Sequence, residues 1–329
     1  MRTLRVFKIL AVNFLVLLTL LVLLECGLRI FHYPFKTDWE PLENSLARFD
    51  SLLGWSYVPN MAKAVDFETY RRDVYTDGDG IRVSAANYSF QVKTPTALFI
   101  GCSYTMGHGL SYQESYVGRF AALADGRLQT VNLGVQAYGT DQSLLILKKF
   151  INKFNTKVVI YTFMDEHISR NGNYDRRMFM PDARFIGTKP LFELDEKGEL
   201  YLAKKPLLYK DYLHSWLFDA LILKIGPHLS VYPPYPEQLT HALILEMNRL
   251  CKERNIRFIL LNWRWNETGY NNFDTVRVEK VDTMLFAPQK WEHLRIPGDN
   301  HPDAEAGRIV ADFLYNYLQP LFKSHQSEK

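Results

Sequence analysis

Cysteine is scarce in this chain: Cys26, Cys102 and Cys251 are the only three in 329 residues, in dissimilar contexts and without CxxC spacing. That argues against a disulfide framework and against a zinc site. A strong charge of either sign is also missing, since 39 basic residues face 36 acidic ones for a net charge of +3. With no Lys/Arg cluster to change the balance, a nucleic-acid partner is not expected. Internal repeats and low-complexity tracts are lacking as well. What is plentiful is apolar surface, at 47% of residues, enough for a sizeable core in one large domain or two small ones.

Part of that apolar content is concentrated at the start. Ile9 to Leu24 is a run of 16 residues without a charge. As a helix it spans about 24 Å, slightly short of the roughly 30 Å hydrocarbon core of a bilayer. Phe7 on one side, and Cys26 to Phe31 with a snorkelling Arg29 on the other, supply the missing length. A cleaved signal peptide would have a shorter apolar region ending in small residues. Here the run ends in Leu-Leu-Glu-Cys-Gly-Leu-Arg, so an uncleaved anchor over 9–25 is the expectation. Glu25 before Cys26 also spoils a lipoprotein-type cleavage box. Arg2, Arg5 and Lys8 precede the run, whereas only Arg29 and Lys36 follow it closely. The positive-inside bias puts residues 1–8 in the cytoplasm and the rest outside it.

Residues 26–90 read as a juxtamembrane segment with aromatic anchors at Phe31, Tyr33, Phe35 and Trp39. Thr76-Asp-Gly-Asp-Gly80 has the acidic spacing of a calcium loop but no later bidentate carboxylate, so a tight turn is expected. Beyond residue 91 strands and helices alternate. Strands are expected at Ala97–Ile100, Thr130–Leu133, Lys157–Phe163, Ile256–Leu261 and, briefly, Leu294–Ile296. Helices are expected from a capping box at Ser111-Tyr-Gln-Glu114 to Ala124, and over Asp141–Phe154, Glu237–Arg254 and Pro302–Leu318. This alternation predicts a parallel sheet with helices on both faces, occupying 91–322. Residues 171–233, rich in Tyr, Phe, Pro and Arg and without a clear period, interrupt it as an insertion, either a lid or a packed subdomain.

Active sites of open α/β sheets lie at the carboxyl ends of strands. There the sequence places Gly101-Cys-Ser103-Tyr-Thr-Met-Gly107, Asn132-Leu-Gly-Val-Gln-Ala-Tyr-Gly139, Asp165-Glu-His167 and Asp299-Asn-His301-Pro302. A serine at a strand-to-loop junction can present its hydroxyl to a cleft beside backbone N–H groups. A histidine two residues after an aspartate supplies a general base and a carboxylate to orient it. Cys102 reads as a small buried filler rather than a nucleophile. His108 and His167 are rival bases that read more simply as surface or internally satisfied histidines. Gln142 and Arg170 are candidates for substrate contact.

These blocks resemble the SGNH/GDSL hydrolase superfamily, and its membrane-anchored bacterial branch in particular. The resemblance covers about 95–167 and 255–318, in order. It implies a three-layer α/β/α fold of flavodoxin type with a five-stranded, mainly parallel sheet. It also implies Ser103 as nucleophile, His301 as base and Asp299 as its orienting carboxylate. The N–H groups of Ser103 and Ala137 would form the oxyanion hole, with Asp165 near the position where the family has a donating Asn. No metal, nucleotide or other cofactor is implied. The expected partner is an acylated small molecule or polysaccharide, with the acyl group passed to water or to a sugar hydroxyl. Four departures stand out: Cys102 for the usual Asp, Ala137 for a Gly, Asp165 for the Asn, and one residue rather than two between Asp299 and His301. They keep open an alternative, a catalytically silent envelope scaffold or glycan-binding module.

Overall fold

The computed structural model describes residues 2–33, 46–67, 70–176, 187–208, 215–229 and 235–320. Phe35, Lys36 and Trp39, and parts of the 171–233 insertion, lie outside the described residues. Helix α1 (Arg2–Ile30) comes first, and its Leu4–Ile30 portion is long and apolar enough to cross a membrane. A hairpin follows, β1 (Ala47–Asp50) with β2 (Gly54–Tyr57).

The main sheet has eight strands. Five are parallel: β6 (Pro95–Ile100), β7 (Gln129–Asn132), β8 (Asn155–Phe163), β11 (Arg257–Asn262) and β12 (Glu279–Asp282). In chain order within that set they lie 2-1-3-4-5, the flavodoxin-type doubly wound order. The central three, β6, β8 and β11, carry continuous apolar runs because both their faces are covered; Ala97 to Ile100 are wholly buried. Right-handed crossovers in this order send α3 (Tyr116–Ala124) to one face and α4 (Thr140–Phe150) and α7 (Pro236–Lys252) to the other. The packing agrees: α3 lies against α8 (Ala304–Tyr317), and α7 against α4 and α5 (Glu166–Asn171). The expected three-layer fold is therefore present.

Three antiparallel strands extend it. β5 (Arg82–Val83) pairs with β7 at Arg82 and Asn132, and β4 (Arg71–Thr76) and β3 (Ala62–Asp66) follow. They cover what would be an open edge of the parallel set. The turn at Asp77–Gly80 between β4 and β5 is tight, as expected, with the Asp77 carboxylate accepting from the N–H groups of Asp79 and Ile81.

Two boundary expectations need correction. The fifth parallel strand is Glu279–Asp282, while Leu294–Ile296 contributes only an isolated antiparallel bridge between Arg295 and Pro302. The true strand was hard to read because it is a short edge strand with only Val281 and Asp282 buried. The Ser111–Glu114 capping pair does form, but it closes a turn; α3 starts later, capped by the Ser115 hydroxyl on the Gly118 N–H at 3.1 Å. The insertion contributes the hairpin β9 (Leu191–Leu194) and β10 (Leu200–Lys204), packed on α7, and helix α6 (Trp216–Leu229) against α1.

Candidate active site

The order of the parallel strands reverses at β6 and β8, which are hydrogen-bonded neighbours whose onward connections run in opposite directions along the sheet. Ser103 sits at the carboxyl end of β6, as the first residue of the one-turn helix α2 (Ser103–Met106). Gly101 enters the turn at φ 150°, where a Cβ would press on Thr105 and the Thr162 carbonyl. Gly134 approaches so closely that a Cβ would collide with the Met106 backbone, which brings the second block against the first.

Asn132 and Arg82 hold this turn from beneath. The Asn132 amide donates to the Thr105 carbonyl at 2.9 Å and accepts from the Gly134 N–H at 3.0 Å. The buried guanidinium of Arg82 donates to the carbonyls of Met106, Gly107 (2.9 Å) and Leu110 (2.6 Å), at the carbonyl end of the turn that begins at Ser103. Burial lowers its pKa to about 10, which still leaves it charged at neutral pH. Strand β2 braces the second block: the Trp55 indole donates to the Gln136 carbonyl at 2.9 Å, and the Tyr57 hydroxyl accepts from the Gln136 N–H at 3.1 Å.

His301 arrives from the loop before α8. Its Nε2 lies 2.8 Å from the Ser103 hydroxyl and its Nδ1 2.6 Å from Asp299 Oδ1. The same carboxylate oxygen accepts the His301 backbone N–H at 3.1 Å. That is an Asx-turn, and it explains how a single intervening residue suffices: the local turn folds the carboxylate back onto the ring two residues ahead. The loop is closed by the Ile296 N–H to the His301 carbonyl (2.9 Å) and the Asp303 N–H to Leu294 (3.1 Å). Desolvation opposes ionisation of Asp299, but the hydrogen bond and charge of His301 outweigh it and hold its pKa below the usual carboxylate value.

His108 also belongs to this constellation, contrary to its expected role as a surface or internally satisfied residue. Its ring stacks on that of His301, centroids 4.1 Å apart, and its Nε2 lies 3.5 Å from Asp299 Oδ2. Gln136 Nε2 donates to His108 Nδ1 at 2.7 Å, placing the single ring proton on Nε2, toward the carboxylate. Burial, with the neighbouring His301, lowers the His108 pKa to about 4, so the ring is neutral at pH 7.

His167, by contrast, is wholly buried, with Nδ1 against the Tyr161 hydroxyl at 2.8 Å; desolvation keeps it neutral. Gln142 and Arg170 are structural. Gln142 bridges the Gly139 N–H and the Leu53 carbonyl inside the core, and Arg170 donates to the Tyr138 carbonyl at 3.0 Å. Cys102 is buried with its sulfur 3.3 Å from that of Met164.

Ala137 adopts φ 62°, a left-handed conformation that a non-glycine residue enters only when its surroundings enforce it. Among the described residues no acceptor takes the N–H of Ser103 or of Ala137. Asp165, in contrast, is engaged as an acceptor, its Oδ1 taking the Tyr270 N–H at 2.9 Å. It lines a cleft of 260 Å³ with Tyr104, Trp263, Arg264, Trp265 and Arg295. The Tyr104 hydroxyl, from the residue after Ser103, accepts from the Trp265 indole and donates to the Asn300 carbonyl, both at 3.1 Å.

Among the described residues one group has metal-ligand chemistry: His108, Asp299 and His301, whose donor atoms lie within 4.8 Å of one another. Asp299 Oδ1 is already directed at His301 Nδ1 and Oδ2 at His108 Nε2, and His301 Nε2 is directed at Ser103. That pairing of donors and acceptors suits proton transfer better than coordination of an ion.

No family model and no curated protein matches the sequence. The chain is similar to solved structures that include the psychrotrophic esterase EstA of a Pseudoalteromonas species (10% identity, 69% of this chain and 98% of that one, TM-score 0.39). Others are a GDSL-like lipase of Bacteroides thetaiotaomicron (10% identity, 69% and 89%, TM-score 0.38) and a carbohydrate acetylesterase family member of Sinorhizobium meliloti (11% identity, 70% and 99%, TM-score 0.35).

Proposed function

We propose that this chain is a membrane-anchored serine ester hydrolase or O-acyltransferase that works through an acyl-enzyme on Ser103. The observation that carries this reading is the continuous hydrogen-bonded path from Ser103 through His301 to Asp299, at 2.8 and 2.6 Å. Such a path lets the Ser103 hydroxyl attack an ester carbonyl while His301 Nε2 takes its proton, with Asp299 stabilising the imidazolium. The tetrahedral oxyanion would be met by the N–H groups of Ser103 and Ala137. Collapse breaks the bond to the alkoxide, which leaves as the alcohol by taking from His301 the proton that came from Ser103. Water or a sugar hydroxyl, activated by the same histidine, then attacks the acyl-serine. The two outcomes share every earlier step, so access of water to the acyl-enzyme decides between them.

A glycan substrate is supported by the neighbouring cleft, which combines aromatic faces at Tyr104 and Trp265 with Arg264 and Arg295. Action outside the cytoplasm is supported by α1 and by the basic residues preceding its apolar run. A scaffold or glycan-binding module without catalysis is the second reading, favoured by Asp165, an acceptor where the resemblance implies a donor. Labelling of the full chain with a fluorophosphonate separates the two. Modification mapped to Ser103, and lost in His301→Ala, is expected; an unlabelled Ser103 in folded protein would favour the scaffold.

A further inference from the structure

Helix α6, Trp216–Leu229, contradicts the usual pattern of a helix on a soluble domain. Trp-Leu-Phe-Asp-Ala-Leu-Ile-Leu-Lys-Ile is apolar on most sides, and the part whose side chains are described leaves Phe218 59% and Leu221 51% exposed. Three residues apart, these two share one face. The only buried charge in that stretch is Asp219.

What lies beside α6 identifies its surroundings. The carboxylate of Glu25, near the end of α1, accepts from the Trp216 N–H (3.0 Å), the Leu217 N–H (2.8 Å) and the Ser215 hydroxyl (3.0 Å). A residue of α1 thus caps the N-terminus of α6. Arg29 pairs with Glu25 at 2.7 Å and lies over the Trp216 ring, which His32 meets edge-on. This polar and aromatic cluster sits where the charge-free run of α1 ends, the level at which a bilayer passes from hydrocarbon to headgroups.

From this junction we infer that α6 is a membrane-docking helix, lying in the headgroup–acyl boundary with Phe218 and Leu221 directed into the lipid. The inference rests on the reading of α1 as a membrane span. A helix of 14 residues is about 21 Å long, too short to cross a roughly 30 Å core, and Asp219 and Lys224 oppose crossing. An amphipathic helix in the interface plane has no such requirement, and the exposed Lys224 suits anionic headgroups. The apolar face of α6 is then continuous with the lipid-facing surface of α1, whose apolar window is unburied. The domain would be held to the bilayer at two places rather than on a single flexible tether.

The test uses the full chain in phosphatidylcholine–phosphatidylglycerol vesicles, with Cys26→Ser and bimane on Phe218→Cys or Leu221→Cys. Val16→Cys reports the anchor, and Leu285→Cys, 76% exposed on the α/β domain, reports solvent. Brominated lipids should quench the Val16 label strongly. Labels at 218 and 221 should be quenched at least twofold more than at 285, and more by bromines near the headgroups than by bromines near the chain ends. Labels at 218 and 221 that behave like 285, beside a quenched Val16, would overturn the docking helix and leave the anchor standing. An unquenched Val16 would remove the anchor and the docking helix with it.

Discussion

The two halves of the eight-stranded sheet do different work. The parallel half, β6, β7, β8, β11 and β12, lies beside the candidate site: Ser103 follows β6, and Asp299 and His301 lie in the loop that leads into α8. The antiparallel half, β3 to β5, with the β1–β2 hairpin, supplies among the described residues no hydrogen bond to the Ser103 side chain but braces the turns around it. Arg82 holds the carbonyls of the turn after Ser103, Trp55 and Tyr57 hold Gln136, and Phe67 packs on His108 at 4.7 Å. The contrast implies that substitutions in the first half should cost turnover and those in the second should cost stability. The largest effect belongs to the first. Ser103→Ala and His301→Ala should each lower kcat on a short-chain aryl ester by about 10⁴-fold or more with unfolding unchanged, and the double variant should be scarcely worse than either. Near wild-type activity in Ser103→Ala would end the assignment.

Arg82→Met tests the second half. It removes a cation that serves three buried carbonyls, and unsatisfied buried acceptors cost about 1–3 kcal/mol each, though not additively. A loss of roughly 3–5 kcal/mol in urea unfolding is expected, of the size seen when a buried charged partner is removed. Unchanged stability with lost turnover would reverse the comparison and make Arg82 part of the chemistry.

Legibility in the sequence followed the same division. The strands β6, β8 and β11 could be found because burial on both faces gives each a central apolar run, and the Ser103 block because it directly follows one of them; the Asp299–His301 block follows no strand of the sheet and was recognised by its Asp-x-His-Pro pattern alone. Strands β3 to β5 were read as part of a juxtamembrane segment: their residues alternate with charges such as Lys63, Arg71, Arg72 and Asp73, and turn signals surround them. Arg82 gave no signal, because its importance lies in a guanidinium reaching carbonyls 24 to 28 residues away. His108 was visible as a rival base. Its stacking on a histidine 193 positions later was not, since nothing local encodes it.

His108 joins the halves, and its effect should be intermediate. Replacing it with Asn removes the ring stacked on His301 and the proton facing Asp299, and should lower kcat by about tenfold, roughly 1.4 kcal/mol. It also has a pH signature. In the folded chain His108 titrates at about 4, whereas an unfolded histidine takes its proton near 6.5. Between those values the unfolded state binds more protons, so stability is full above about pH 6.5 and falls as pH drops toward 4. Asp299, held below its ordinary value, adds a further loss at lower pH. Buried His167 contributes in the same direction, so the difference between wild type and His108→Asn isolates the His108 share. Urea unfolding at several pH values between 7 and 4 should show a shallower decline in the variant. An identical decline would mean that His108 takes up its proton as readily in the folded chain as in the unfolded one.

The smallest effect is expected at Asp165, and its direction is what matters. Here the parallel half departs from the resemblance, with a carboxylate where a donor to the oxyanion is implied. An ionised carboxylate cannot donate, and it repels developing negative charge. Desolvation raises the Asp165 pKa, against the hydrogen bond from Tyr270 that favours the ionised form. Asp165→Asn keeps an oxygen for that Tyr270 N–H and places an amide NH₂ where the second carboxylate oxygen stood, with almost no change in shape. If Ser103 and Ala137 already meet the oxyanion, kcat should stay within a few-fold of wild type. If the new amide reaches it as well, kcat should rise, with about 2.7–4 kcal/mol as the ceiling for a well-placed donor. Both outcomes keep Asp165 outside the essential machinery. A large loss in a variant that unfolds like the wild type would show that the charge itself is used in the cleft, where Arg264 and Arg295 are the cations it could help to place.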